Sequence, residues 1–229
     1  MGHNELSDGV LDWSALGGGE QEFAPANFSY VYDETRAKAI AQDDFALLKS
    51  YYARHGKHFS GLSQIIEFGA ELTRGSEWLS QAGALDITDI VVPEIYGAYE
   101  RLKTKQITNT KLVVLRSVND IVALNQCDLL YSVLSVRRVP ATVIAHVLGL
   151  LLNKVVSGGL ALIRAPTQHK HYQAMLPGAQ ELEELNVIPQ WKLFELIEYN
   201  NFSLVLVQEE PLFRSADILY HTVLAQRRD

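Results

Sequence analysis

Residues 63–80 read SQIIEFGAELTRGSEWLS. The apolar run Ile65–Phe68 carries an acid at Glu67, meets Gly69, and gives way to what reads as the start of a helix. A strand that ends in glycine and turns into a helix is the usual opening of a nucleotide-type cofactor site. Glycine there lets the main chain approach a ligand without a Cβ collision. Such loops carry glycines at alternate positions. Here Gly69 is in place, but Glu71 and Thr73 fill the next two slots.

Outward from that stretch the chain alternates. Short β-rich runs occur at Ile65–Phe68, Ile87–Val92, Lys111–Leu115, Leu129–Val133, Leu160–Arg164, Leu204–Glu209 and Ile218–Ala225. Helical stretches fall at Ser76–Gln81, Glu94–Lys103, Ala141–Val155 and Gln190–Tyr199. Strand and helix repeated in this way predict an α/β fold, a mostly parallel, doubly wound sheet of about seven strands covered on both faces. The last two runs are joined by EPLFRSAD, too short for a helical crossover, so the sheet ends in an antiparallel hairpin. In open sheets of this kind ligands bind beyond the carboxyl ends of the strands, where the strand order reverses. The turn after Phe68 is such an end.

Residues 1–34 differ from the rest. They hold three consecutive glycines, Gly17–Gly19, and no regular apolar period, which predicts a flexible arm. Trp13, Phe23, Phe28, Tyr30 and Tyr32 give that arm aromatic groups with which to lie on the domain or on a neighbouring subunit. Residues 35–229 form the α/β domain, led by a helix over 35–54 with acids early and basic residues late, as the helix dipole favours.

The 229 residues, 48% of them hydrophobic, can bury a substantial core. No apolar run reaches the roughly 18–20 residues that span a bilayer. The N-terminus lacks a basic region followed by an apolar block. A single cysteine, Cys127, excludes an internal disulfide and fits a reducing compartment, so the expected location is cytoplasmic. The formal charge of −7, with scattered basic residues, argues against nucleic acid as a partner. A small anionic or sugar-like ligand, a homodimer or another protein remain as partner classes.

Several segments, in order, resemble the class I S-adenosylmethionine-dependent methyltransferases from Phe59 to the C-terminus. IIEFGAELTRG is similar to the first-strand motif, CDLLYSVLSVRRVP to the fourth-strand segment, and VVSGGLALIRAP to the glycine pair opening the fifth strand. NNFSLVLVQEE and ILYHTVLAQRR match the last two strands. The resemblance implies the fold, and S-adenosylmethionine as the cofactor if the chain is functional in that sense. It implies that Glu67 helps position the methionine end, that Gly69 admits the ligand, and that an acid after the second strand holds the ribose. Asp89 and Glu94 are the two candidates for that acid, and Glu94 also reads as a first-turn helix acid after Pro93. Ser117 stands where the family often has an acid against the adenine, with Asp120 reading as the start of a helical turn. Asp128, opening the fourth strand, either anchors that strand or touches ligand.

The departures are as informative as the matches. Glu71 adds bulk and charge near the place of a ligand carboxylate, and two carboxylates about 4 Å apart repel by ~1 kcal/mol in water and more at a protein surface. Arg137 and Arg138 replace the family's frequent Gln-His pair. They either bind an anionic acceptor, or one reaches Glu71 to fill a vacated pocket, or both are solvated loop residues. After the fifth strand, in APTQHKHYQAMLPGAQ, the residues His169, His171 and Tyr172 are weak candidates for general acid or base chemistry on an acceptor hydroxyl. Two histidines without further fixed ligands do not make a metal site.

Three functions follow as expectations. One is a working methyltransferase on a small polar acceptor such as a sugar or glycan precursor. Another is a member impaired in cofactor binding that serves as an interaction module. The last binds a different nucleotide-like anion through Gly69 and the arginine pair. Glu71, Thr73 and Ser117 depart together, which favours the second.

Overall fold

The computed structural model describes residues 34–69, 75–90, 99–133, 141–169, 188–211 and 218–229. Helix α1 (Glu34–Arg54) leads into a short 3-10 turn (Phe59–Gly61) and strand β1 (Gln64–Phe68). Then follow α2 (Gly75–Ala82), β2 (Ala84–Asp89), a helical stretch over 99–104, β3 (Thr110–Val114) and α3 (Val118–Val122). The second half comprises β4 (Cys127–Val133), α4 (Ala141–Leu152), β5 (Val155–His169), α5 (Gln190–Tyr199), β6 (Phe202–Pro211) and β7 (Ile218–Arg227).

The seven strands form one sheet in the order β3-β2-β1-β4-β5-β7-β6. β1 through β5 pair in parallel, and β7 runs antiparallel between β5 and β6. The hairpin expected from EPLFRSAD is therefore present. The order reverses between β1 and β4, which puts the turn after Phe68 at the switch point of the sheet.

Period-two alternation sorts side chains to two faces, and helices bury both. On one face Ile65, Ile87, Leu129 and Leu162 pack under α1, α2 and Leu102. On the other, Ile66, Leu130, Ala161 and Val223 pack under α3, α4 and α5. In α1 the buried residues Ala41, Phe45, Leu48 and Tyr52 recur at helical spacing.

Most element boundaries shift by one or two residues from the sequence reading, and three elements shift further. β2 starts at Ala84 and ends at Asp89, not at Ile87 and Val92, because it pairs along its whole length with β1 and β3. α4 ends at Leu152, and Val155 already pairs with Cys127 as the first residue of β5. The side chain of Lys154, whose Nζ donates to the carbonyls of Val122 and Leu124, fixes that turn. β5 runs on to His169 because β7 supplies an antiparallel partner as far as Ile218. His169 thus closes a strand, where the sequence reading had a loop.

Candidate functional site

The carboxyl ends of β1 and β2 are knitted together where a cofactor would lie. Thr88 Oγ1 donates to the Glu67 carbonyl at 2.8 Å, and the Gly69 N–H donates to the Thr88 carbonyl at 3.2 Å. Gly69 has φ +92°, a backbone setting that a residue with a Cβ reaches only under strain.

Glu67 is fully buried and accepts a 2.5 Å hydrogen bond from Ser76 Oγ at the start of α2. The packing around it is tight. A Cβ on Gly75 would come within 2.8 Å of Tyr131 Cε1 and 3.3 Å of Glu67 Oε1. Gly75 therefore lets α2 close onto β1 and β4, a role that the sequence motif did not reveal.

Tyr131 lies beside Glu67 in register on β4. Its hydroxyl donates to Asp44 Oδ2 at 2.9 Å, and Arg164 of β5 donates to Asp44 Oδ1 at 2.6 Å. Arg164 and Asp44 are 3% and 2% exposed, so the pair is cut off from water. Burial, then the charges of Asp44 and Glu67, push the Tyr131 phenol well above its ordinary pKa, with Arg164 opposing. Phe45 stacks on Tyr131 at 6.2 Å between centroids. The result is a sealed polar cluster between α1 and the strand ends. Its signal in the sequence is a charge out of place. Asp44 interrupts the apolar stripe of α1, and Arg164 interrupts the apolar run LALIRAP.

The other acids have local tasks. Asp89 ends β2 fully buried, and its Oδ1 accepts from the Ile90 N–H at 2.6 Å. Ser117 precedes α3, and Asp120 Oδ2 accepts from its hydroxyl at 3.1 Å and from the N–H groups of Ser117 and Arg116 at 2.8 and 2.9 Å. That is the helix start expected of Asp120. Asp128 Oδ2 accepts from the N–H groups of Ser63 and Gln64 at 2.6 and 3.1 Å. Of its two sequence readings, anchoring is the one observed, at the opposite end of the sheet from Gly69. Cys127 is buried, and burial raises its thiol to about 12, which keeps it protonated and inert.

Glu67, Gly69 and Asp89 therefore converge at the carboxyl ends of two neighbouring interior strands, β1 and β2. Glu71, Thr73, Glu94, Arg137, Arg138, His171, Tyr172 and residues 1–33 of the expected 1–34 arm lie outside the described residues, and Glu34 already belongs to α1. Among the described residues no group of three His, Cys, Asp or Glu side chains could hold a metal ion. No helix among them is long and apolar enough to cross a membrane.

One polar cluster was missed entirely in the sequence. His221 of β7 is buried, with Nδ1 2.6 Å from Thr167 Oγ1 and Nε2 2.8 Å from the Gln190 side-chain amide nitrogen. Burial lowers the pKa of this histidine, and Glu209, 3.7 Å away, opposes the shift.

No family model matches the sequence, and no curated protein sequence matches it. Solved structures do match in shape. A sarcosine dimethylglycine methyltransferase, so described putatively, from Galdieria sulphuraria aligns with TM-score 0.64 at 13% identity, over 88% of this chain and 91% of its own. TehB from Haemophilus influenzae aligns with TM-score 0.61 at 15% identity; 88% of this chain spans 66% of TehB, just under two thirds. Magnesium protoporphyrin IX methyltransferase from Synechocystis, solved with S-adenosylhomocysteine bound, aligns with TM-score 0.59 at 14% identity, over 94% and 92% of the two chains. The chain has the class I methyltransferase fold, as the sequence resemblance implied.

Proposed function

We propose that this chain is a methyltransferase-fold protein impaired in binding S-adenosylmethionine, serving as an interaction module in the cytoplasm. The observation that carries the reading is the state of the two described acids at these strand ends. Glu67 and Asp89 are both 0% exposed, and each accepts a hydrogen bond from within the chain, from Ser76 Oγ and from the Ile90 N–H. Both carboxylates are closed off from solvent, so a ligand reaches them only if the chain around them moves. Glu71 and Thr73 in place of glycines act in the same direction.

Thermal unfolding of the full chain with S-adenosylmethionine, or its demethylated product, at millimolar concentration tests the reading. Ligand at 100 times its Kd adds about 2.7 kcal/mol to the folded state. No change in midpoint is expected, and a clear rise would overturn the reading. The retained turn at Gly69, with φ +92°, favours one alternative, an active methyltransferase on a small polar acceptor. A midpoint rise with the cofactor would select it.

A further inference from the structure

We propose that the outer edge of β6 docks a second copy of this chain, strand to strand and antiparallel. β6 ends the sheet, and among the described residues it pairs only with β7. It is ten residues long, twice the five of β3 at the other edge. A long edge strand offers a row of open N–H and C=O groups and is a template for another strand. Natural edges are usually blunted with charge, yet the middle of this one carries Leu204, Val205 and Val207 at 46%, 42% and 40% exposure. The bulge between Leu204 and Leu206 and the acid at Glu209 limit indiscriminate pairing without removing the apolar centre.

The chemistry of the two ends of the edge selects the occupant. The carboxyl end of β6 is acidic, at Glu209, whose side chain is 60% exposed. At the amino end lies Arg228, which is exposed and donates from Nε to Ser203 Oγ at 2.8 Å. Two β6 strands related by a two-fold axis run antiparallel, so the acidic end of each meets the basic end of the other. Helix α5 strengthens the match. It packs on β6 and exposes Trp191 near its start and Tyr199 at its end, 68% and 87% accessible. The same axis runs α5 antiparallel to its copy, so the Trp191 end of one helix and the Tyr199 end of the other lie at the same level along the strands. The charge pattern is thus self-complementary, as an isologous interface requires.

The dimer gives the interaction-module reading an interface, and it rests on that reading only for its biological role. The test is the mass of the full chain by sedimentation or light scattering over roughly 1–100 µM protein. The expected result is a dimer of twice 25.6 kDa. Val205→Lys or Val207→Lys weakens it at least tenfold with an unchanged circular dichroism spectrum. Glu209→Lys weakens it, and adding Arg228→Glu restores it. Should a lysine at Val205 or Val207 impair folding, Glu209→Lys, which exchanges one exposed charged side chain for another, and its rescue still decide the matter. A monomer throughout, or a dimer indifferent to these changes, overturns the proposal. A dimer that also gains stability from S-adenosylmethionine would leave this interface standing and overturn the non-binding reading alone.

Discussion

Asp44 and Arg164 stand 120 residues apart in the chain and meet at 2.6 Å in a space closed to water. The contact ties the leading helix to β5, and through Tyr131 to β4 beside Glu67. A buried pair of this kind adds little over well-packed apolar side chains, but breaking it strands a charge. Asp44→Ala should therefore cost about 3–5 kcal/mol of stability. Urea unfolding followed by tryptophan fluorescence measures it. A loss below 1 kcal/mol, in the range of exposed pairs, would show that the pair is solvated.

Tyr131 sets an alkaline limit. Its phenol keeps the proton in the folded chain above the ordinary pKa of 10.0, because of burial and then the charge of Asp44. Its contribution is whole below pH 10 and is lost as pH rises, since the unfolded chain releases the proton first. Tyr131→Phe should flatten the fall in melting temperature above pH 10. Near neutral pH it should cost about 1–3 kcal/mol by depriving Asp44 of a donor. An unchanged alkaline slope would count against this assignment.

Gly75 and Ser76 should be sensitive for different reasons. In Gly75→Ala the new methyl meets the edge of the Tyr131 ring at 2.8 Å, and overpacking of that sort costs about 1–3 kcal/mol. Ser76→Ala leaves the buried Glu67 without its hydroxyl donor, at a similar cost of about 1–3 kcal/mol. Chemical denaturation of both variants checks the prediction. A neutral Gly75→Ala would mean that α2 sits further from β4.

His221 works on the acid side. Burial lowers its pKa from 6.5, so the unfolded chain takes up a proton before the folded one does. Stability from this group is whole above pH 6.5 and falls as pH drops below it. His221→Asn should reduce the loss of melting temperature between about pH 6.5 and 5, whatever its effect at neutral pH. An identical acid slope in the variant would place the titration elsewhere.

The order of elements was legible because it follows from local physics. Apolar runs of strand length, helix formers between them and a final connection too short for a crossover leave few arrangements of a sheet. Glu67 and Gly69 were legible as neighbours for the same reason, since they flank the end of one strand. Asp89 was one of two candidates, because the sequence reading carried β2 to Val92 and only its pairing with β3 ends it at Asp89. Strand limits were less so. The full extent of β5 depends on β7, a partner that begins 49 positions after its last residue.

The sequence by itself determined the α/β architecture, the closing hairpin and the position of a glycine turn at the switch point, because period, length and turn chemistry act over a few residues. Only the tertiary structure decided that Glu67 is locked by Ser76, that Gly75 is needed beneath Tyr131, and that Asp44 answers Arg164. Those outcomes depend on side chains brought together from distant segments into a space without water. There a charge survives only beside its partner, and no local pattern says which partner that will be.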